Sequence, residues 1–235
     1  MANEYWDEMY GLEGSSRYQN EGDIGIYYRL PKFIELFYNR FPSLSKLNVL
    51  ELGGGGGEIF DLFSKRYAGE NINYTLTEYS SNAVSVLKNK YKERAKIIHA
   101  DATNLPFEEN EFDIVCAFDV MHHVLDPCKM ASEMLRVTKS HFFMCEANGL
   151  SIIRRMGEMS KEAKKLEEKS YFPWQYKNFF LKSGAKSCSV MPFYFFVPPK
   201  VAKKNMKPFI LISEIGQRIP IIKWQSQSLM IAGEK

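Results

Sequence analysis

The chain has 235 residues, of which 45% are hydrophobic and 25% charged, so it can fold around a sizeable core. No segment approaches the roughly 18 apolar residues of a membrane-spanning helix, and the polar, acidic start differs from a secretion signal. We therefore expect a soluble, cytoplasmic protein. The cysteines lack CxxC spacing, which favours free thiols over metal ligands or disulfides; they are Cys116, Cys128, Cys145 and Cys188.

Charge is distributed unevenly along the chain. Residues 150–235 carry sixteen Lys or Arg against six Asp or Glu, although the whole chain has a net charge of only +3. A basic segment of this kind can attract a nucleic acid, an anionic membrane surface or an acidic acceptor. The run Lys161 to Lys169, however, mixes both signs at helical spacing, which is also typical of a solvated helix face.

The predicted elements begin with an aromatic and acidic arm, Met1–Gly25, followed by a helix within Ile26–Phe41. Between Leu47 and Glu146, short apolar runs alternate with amphipathic stretches, which indicates βαβ units and a parallel sheet. The predicted strands are Leu47–Leu52, Tyr74–Thr77, Lys96–His99, Phe112–Phe118 and His141–Glu146. The predicted helices are Ile59–Tyr67, Ala83–Tyr91 and Lys129–Thr138. Ser80-Ser81 and Asp126-Pro127 are plausible starts for the last two helices.

The C-terminal part predicts further helices and strands. They are a mostly exposed helix Ser151–Ser170, a helix Trp174–Lys182, a strand Cys188–Val197 ended by Pro198-Pro199, a helix Asn205–Arg218 and a strand Ser228–Ala232. No repeat or linker interrupts the chain, so we expect one α/β domain. Its parts are an arm and helix (residues 1–45), a ligand-binding half (46–148) and an acceptor-side half (149–235).

The most informative segment is Val49-Leu50-Glu51-Leu52 followed by five glycines, Gly53 to Gly57. Glycine suits a tight strand-to-helix turn that a ligand approaches closely. A phosphate-binding P-loop requires GxxxxGK[ST], but no Lys follows before Lys65. A dinucleotide fingerprint requires a third Gly or Ala, where this chain has Glu58, Ile59 or Phe60. The fitting pattern is an acidic residue followed by alternating glycines, which suits a nucleoside carrying an ammonium and carboxylate tail.

With Glu51, Gly53, Gly55 and Gly57, the segment Leu47 to Glu146 resembles the class I S-adenosylmethionine-dependent methyltransferases, of the small-molecule, methyltransferase-11-like type. The resemblance implies a Rossmann-like, doubly wound, seven-stranded and mainly parallel sheet with helices on both faces. Ser228–Ala232 would insert antiparallel between the fifth strand and the strand containing Tyr194. The chain lacks the Lys-Pro-Gly-Gly turn of many relatives and has Lys139-Ser140-His141 there, so that connection must be tighter or differently shaped.

The resemblance also implies a cofactor, S-adenosylmethionine, and roles for individual residues. Glu51 would position the methionine amino group, and the three glycines would make room for the cofactor. Glu78 would accept the ribose hydroxyls, and Asp101 would contact the adenine amino group. The remaining cofactor-binding candidates are Tyr79, Ala102 and Phe118. Glu51 and Glu78 could instead be ordinary strand-end carboxylates, and Asp101 could cap a turn.

The expected reaction is direct methyl transfer by an enzyme that uses no metal. A hydroxyl acceptor would need a base, for which the candidates are His122, His123 and Glu146. One of the two histidines could instead pack against the following helix. An amine or thiolate acceptor would need positioning alone.

The acceptor side is rich in aromatic residues. The arm and the segment from Leu150 to Phe180 could form a lid, and these aromatics could line an acceptor pocket or pack in the core: Tyr5, Trp6, Tyr10, Tyr18, Tyr171, Phe172, Trp174, Tyr176, Phe193, Tyr194, Phe195 and Phe196. Motifs of nucleic-acid methyltransferases are missing, which favours a small molecule or a glycan or lipid precursor as acceptor. The alternatives are an RNA methyltransferase that uses the basic C-terminal third and a non-catalytic partner protein with this fold.

Overall fold

The computed structural model describes Asp7, residues 28–160, Lys164, residues 168–194 and residues 205–235. Most of the predicted arm, the middle of the predicted helix Ser151–Ser170 and the end of the predicted strand Cys188–Val197 lie outside these residues.

The described part is an α/β fold. Its helices are α1 (Leu30–Arg40), α2 (Glu58–Arg66), α3 (Ser81–Tyr91), α4 (Pro127–Val137), α5 (Ile152–Glu158), α6 (Pro173–Lys182) and α7 (Met206–Arg218). Its strands are β1 (Asn48–Leu52), β2 (Asn73–Glu78), β3 (Lys96–His99), β4 (Phe112–Phe118), β5 (Thr138–Ala147), β6 (Ser187–Tyr194) and β7 (Ser228–Glu234). Among the 3₁₀ turns, Lys92–Arg94 precedes β3, Met121–His123 follows β4 and Ile222–Gln225 precedes β7.

The strands form one seven-stranded sheet in the order β3-β2-β1-β4-β5-β7-β6. The pairs among β1 to β5 are parallel, whereas β7 is antiparallel to both β5 and β6. The predicted doubly wound sheet with an inserted antiparallel last strand is therefore confirmed. The order reverses between β1 and β4, and such a switch point opens a ligand crevice at the carboxyl ends of the strands.

Helices cover both faces of the sheet, so the central strands are buried on both sides. Along β4, Cys116 faces the core formed with α1, α2 and α3, and Ala117 faces the core formed with α4 and α6. This alternation follows from the two-residue period of a strand. It explains why the strands read as nearly continuous apolar runs.

The predicted helix starts are confirmed by side-chain caps. The Ser80 hydroxyl accepts a hydrogen bond from the backbone N–H of Ala83 at the start of α3. The Asp126 carboxylate accepts one from Lys129 at the start of α4, where Pro127 occupies the first turn. Such caps satisfy N–H groups that a helix leaves unpaired at its N-terminus.

The predicted continuous helix Ser151–Ser170 is wrong. The first helix of this stretch ends at Glu158, Met159 and Ser160 leave it, and residues 168–170 are irregular, although Lys164 is helical. Arg154 and Glu168 are joined by an ion pair of 2.9 Å. In a straight helix these residues would be about 21 Å apart, so the chain must fold back between them.

The fifth strand begins three residues earlier than predicted, so the connection into it is shorter than the predicted bounds implied. The strand begins at Thr138, not at His141, and follows directly after Val137, the last residue of α4. The Thr138 hydroxyl donates to the carbonyl oxygen of His141 at 3.1 Å. The expectation that this connection is tighter or differently shaped than a Lys-Pro-Gly-Gly turn is thus confirmed, because helix and strand are joined without a loop.

The four cysteines are free thiols, and Cys116, Cys145 and Cys188 are buried whereas Cys128 is exposed. Across the described residues, each helix is too short or too polar to cross a membrane.

Candidate functional site

A cavity of about 490 Å³ opens where β1, β2 and β4 end. Every cofactor-binding residue predicted from the sequence lines it except Gly57; the lining residues among them are Glu51, Gly53, Gly55, Glu78, Tyr79, Asp101, Ala102 and Phe118. Of the predicted catalytic residues, only His123 lines the cavity. The sheet topology thus gathers side chains that are far apart in sequence into one site.

The glycine loop wraps closely around one side of the cavity. Gly53 and Gly55 have φ angles of 66° and 52°, a region that residues with a Cβ rarely adopt. Gly54 also lines the cavity, and a Cβ there would lie 2.0 Å from a methyl carbon of Leu76. Gly57 has a different task, since it begins α2 and its carbonyl oxygen accepts a hydrogen bond from the Tyr91 hydroxyl.

Glu51 is a buried carboxyl group with too few hydrogen-bond donors around it. Its Oε2 accepts a hydrogen bond from the Tyr74 hydroxyl at 2.5 Å. Its Oε1 has no hydrogen-bond partner in the described part of the chain. Burial raises the pKa of Glu51 to about 8, and the Tyr74 hydrogen bond only partly opposes this rise. A cation placed beside Glu51 would pair with its unpartnered oxygen and favour the ionised carboxylate.

Glu78, by contrast, is held by the backbone. Its Oε2 accepts from the N–H of Gly55 at 2.8 Å, and its Oε1 accepts from Tyr79 and Ser80 at 2.7 and 3.1 Å. Burial raises the pKa of Glu78, and these backbone N–H donors oppose the rise. A carboxylate has about four lone-pair directions, so one direction on Oε2 remains for a ligand hydroxyl.

Asp101 and Phe118 line the cavity from the ends of β3 and β4, respectively. Asp101 Oδ1 accepts hydrogen bonds from the N–H and the hydroxyl of Thr103 at 2.7 and 2.8 Å. Phe118 is buried and contributes an apolar wall at the end of β4. Nearby, the carbonyl of Tyr79 lies 2.8 Å from His99 Nε2, which fixes the loop after β2.

The second cluster of predicted residues lies behind the cavity. Glu146, buried at the end of β5, accepts hydrogen bonds from the backbone N–H groups of Val120 and Met121 at 2.9 and 2.7 Å. Its other oxygen lies 2.8 Å from Nδ1 of His122, which is also buried. Glu146 therefore fixes both the 3₁₀ turn and the imidazole of His122.

His123 is the member of this cluster that reaches the cavity. Its ring lies 4.0 Å from that of His122, centroid to centroid. Within the described residues, His122, His123 and Glu168 also bring metal-ligating atoms within 4.8 Å of one another. Since Arg154 already forms an ion pair with Glu168, we assign no ion to this group, and the absence of a metal stays a prediction.

Asp119 is a site residue that the sequence interpretation missed. It lines the cavity directly after β4 with a φ of 56°, an unfavourable conformation for a residue with a Cβ. Arg29 binds its carboxylate at 2.8 Å and also lies over the Phe118 ring. Strained residues of this kind cluster at functional sites. Its position immediately after a predicted central strand is the signal that could have revealed it.

One residue of the predicted arm, Asp7, can be placed. The Asp7 carboxylate accepts hydrogen bonds from the Ser80 hydroxyl at 2.7 Å and from the Asn82 N–H at 3.3 Å. The Asn82 side chain in turn donates to the Asp7 carbonyl at 2.7 Å. Asp7 is thus attached to the start of α3, next to the cavity-lining loop after β2. The role of the whole arm as a lid stays a prediction.

The described aromatics of the C-terminal part do not line the cavity. Tyr171, Tyr176 and Phe193 are buried in the core, which is the second of the two roles considered for them. Trp174 is 54% exposed and stacks on Phe172. Six further candidates lie outside the described residues: Tyr5, Trp6, Tyr10, Tyr18, Phe195 and Phe196. For Tyr194, only the backbone is described.

Residues 50–144 match the family model of a methyltransferase domain. A ubiquinone/menaquinone biosynthesis C-methyltransferase, UbiE, from Idiomarina loihiensis is 32% identical over 98 residues, which is 40% of this chain and 39% of the relative. The chain thus matches about two fifths of that relative's length. The residues that match the family model, 50–144, lie within the predicted ligand-binding half, residues 46–148.

Solved structures share the fold over nearly the whole chain. A chain from the complex of the Haloferax volcanii Trm112 methyltransferase activator with a methyltransferase superposes with a TM-score of 0.69 at 15% identity, covering 97% of this chain and 96% of that one. Phosphoethanolamine N-methyltransferase 2 of Haemonchus contortus, solved with S-adenosylmethionine, gives 0.65 at 14% identity, covering 98% and 60%. Residues 50–144 are thus similar to a methyltransferase domain, and the described part of the chain has the fold of the class I S-adenosylmethionine-dependent methyltransferases.

Proposed function

We propose that this protein binds S-adenosylmethionine in the cavity and transfers its methyl group directly to a small molecule or to a glycan or lipid precursor. The observation that carries the proposal is Glu51, a buried carboxyl group that lines the cavity and has one oxygen without a hydrogen-bond partner among the described residues. A ligand with an ammonium group would satisfy it, and the bare glycine backbone beside it leaves room for such a ligand.

The residues around the cavity would hold different parts of the cofactor. Glu51 would bind the ammonium group, Glu78 would accept a ribose hydroxyl through Oε2, and Asp101 would meet the adenine amino group. The three positions follow the sheet edge from β1 to β2 and beyond β3. Bound cofactor would supply a methyl group on a sulfonium, which needs no further activation. The protein's remaining tasks are to align the acceptor and to exclude water.

On the acceptor side, His123 is the candidate base because it alone of the three predicted catalytic residues lines the cavity. The neighbouring pair of His122 and Glu146 is buried and would position the 3₁₀ turn that carries His123. If the acceptor is a hydroxyl, His123 would take its proton as the methyl group is transferred. If the acceptor is a carbon or amine nucleophile, the same turn would help to position the acceptor and would take no proton.

The acceptor class rests on two observations. The named relative is a C-methyltransferase of ubiquinone and menaquinone biosynthesis, which favours a small and partly apolar acceptor, although the similarity covers only 40% of this chain. Within the described residues, the basic C-terminal third exposes several large aliphatic side chains beside its charges. Such a surface is less suited to a nucleic acid, whose backbone is bound mainly by basic and polar groups.

Two experiments test the proposal in sequence. Titration calorimetry with S-adenosylhomocysteine, compared with NAD⁺ and ATP as controls, should show binding of the first ligand alone. A screen of quinols, sugar nucleotides and RNA for release of S-adenosylhomocysteine should then identify the acceptor. Absence of cofactor binding would refute the proposal, whereas binding without turnover on any acceptor would favour the non-catalytic alternative. Turnover on RNA alone would replace the proposed acceptor class.

A further inference from the structure

One face of α7 is aliphatic and exposed. Leu211, Ile212, Ile215 and Ile219 are 58%, 53%, 49% and 41% exposed, respectively. At 3.6 residues per turn, these four positions fall within an arc of about 100°. The opposite face carries Phe209 and Ile210, which pack against the core. The helix therefore already has its packing face, and the aliphatic stripe is a second apolar face.

The stripe continues beyond the helix. Ile221 and Ile222, which follow α7, are 85% and 41% exposed. The backbone N–H of Ile152, itself 65% exposed, donates to the Gln225 side chain at 3.2 Å, so α5 begins beside the same turn. We call the exposed aliphatic residues together the aliphatic patch: Ile152, Leu211, Ile212, Ile215, Ile219, Ile221 and Ile222. Contiguous patches of this kind are rare on monomeric proteins that contact only water.

The charges beside the patch are mainly positive. Lys207 and Arg218 are exposed at the two ends of α7, and neither forms an ion pair within the described part of the chain. Lys223 follows in the 3₁₀ turn, where it lies over the Trp224 ring. Glu214 is the acidic residue of this stretch. A helix with an aliphatic face bordered by Lys and Arg is typical of segments that lie in the surface of an anionic bilayer.

The patch also lies on the functional edge of the sheet. Ser228, the first residue of β7, pairs with Ala147, the last residue of β5, and with Tyr194 at the end of β6. The 3₁₀ turn before β7 is therefore at the carboxyl edge of the sheet, as is the cavity between β1, β2 and β4. A surface bound at this end of the patch would therefore lie at the same edge of the sheet as the cavity.

We propose that the aliphatic patch docks this protein on the surface of an anionic lipid bilayer. The aliphatic side chains enter the boundary between headgroups and acyl chains, and Lys207, Arg218 and Lys223 pair with lipid phosphates. The contact is peripheral, because α7 has 13 residues and a membrane-spanning helix needs about 20. It does not depend on the cofactor, so it stands or falls separately from the proposed methyl transfer.

The test is flotation of the full chain with vesicles of phosphatidylglycerol and, in parallel, of phosphatidylcholine. We expect partition onto phosphatidylglycerol to be tighter by about tenfold or more, and to weaken with salt. Ile215→Asn with Ile219→Asn should weaken it by about tenfold or more, since two aliphatic side chains lose their apolar contact. Val86→Asn, at an exposed position of α3 outside the patch, is the matched control and should leave partition unchanged.

The charge contribution is tested by Lys207→Glu with Arg218→Glu, which leaves the aliphatic face intact and should remove the preference for phosphatidylglycerol. Each variant is checked for an unchanged circular dichroism spectrum, which the exposure of the substituted side chains leads us to expect. Equal partition of wild type onto both lipids, or none onto either, would overturn the proposal. A wild-type dimer in light scattering that Ile215→Asn with Ile219→Asn dissociates would assign the patch to a second copy of the chain and overturn it equally.

Discussion

Cofactor binding should release a proton from Glu51. Burial raises the pKa of this carboxyl group to about 8, and one of its oxygens has no hydrogen-bond partner in the ranges that the structure describes. It is therefore largely protonated at neutral pH when the cavity holds no cation, and it must ionise to bind an ammonium group. Because only the ionised fraction is competent, affinity for S-adenosylhomocysteine should rise about tenfold per pH unit below 8 and then level off.

Calorimetry between pH 6 and 7.5, in buffers of different ionisation enthalpy, measures both the affinity and the number of protons released on binding. We expect the affinity to change about tenfold per pH unit and about one proton to be released. Glu51→Gln keeps the size of the side chain and a group that can accept from Tyr74. It removes the titrating proton, so its affinity should be lower and nearly independent of pH. A flat profile in wild type, or the same slope in Glu51→Gln, would refute the assignment of Glu51 to the cofactor.

The same ionisation should appear in the stability of the cofactor-free protein. A carboxyl group whose pKa is raised in the folded state favours folding most fully below its unfolded pKa, and that contribution is lost as pH rises through the folded pKa. Between pKa values of 4.5 and about 8, the loss reaches about 5 kcal/mol. Thermal unfolding should therefore show wild type losing more stability than Glu51→Gln between pH 5 and 8.

Three further changes should have separable effects. Glu78→Ala should weaken S-adenosylhomocysteine binding by about 1–3 kcal/mol in calorimetry, and unchanged affinity in a folded variant would contradict its role at the ribose. Gly54→Ala places a Cβ 2.0 Å from Leu76 and should destabilise the protein by about 1–3 kcal/mol in thermal unfolding, whereas Gly157→Ala, with open space around it, should not. His123→Asn should lower kcat about 10²-fold or more on a hydroxyl acceptor while leaving cofactor affinity intact; unchanged kcat would exclude it as the base.

The sequence predicted the cofactor-binding half more accurately than the acceptor side, for a physical reason. Central strands of a doubly wound sheet are apolar on both faces, and the ligand crevice lies at their carboxyl ends, near the switch point. Glu51 and Glu78 could therefore be placed from their positions after apolar runs. Spacing could not show that Gly57 packs against Tyr91 outside the cavity while Gly54 lines it.

On the acceptor side, local patterns were insufficient because long-range contacts decide the structure. The charged stretch after α5 has helical spacing, but the ion pair between Arg154 and Glu168 accompanies a fold-back of the chain. Aromatic content likewise could not distinguish residues that line a pocket from residues that pack in the core. Tyr171 and Tyr176 belong to the core formed with α4 and α6. Asp119 was missed because its positive φ and its partner Arg29 exist only in three dimensions.

The orientation of the cofactor can be argued from how three strand-end carboxyl groups are satisfied. Glu78 accepts three backbone N–H groups, and Glu146 accepts two and lies beside an imidazole nitrogen. From the described part of the chain Glu51 accepts a single hydroxyl, so it is the group that needs an added positive charge. The ammonium end of the ligand should therefore lie at Glu51, with the nucleoside towards Glu78.

Methylthioadenosine, which keeps the nucleoside but lacks the amino acid tail, tests this orientation through a cycle with Glu51→Gln. In wild type at pH 8.5, where Glu51 is mostly ionised, removal of the tail should weaken binding by about 2 kcal/mol or more, the scale of a charge-assisted hydrogen bond. In Glu51→Gln the same removal should cost clearly less, because the ammonium no longer meets a carboxylate. An equal penalty in both proteins would show that the tail lies elsewhere, and the nucleoside assignment at Glu78 would then have to be tested independently.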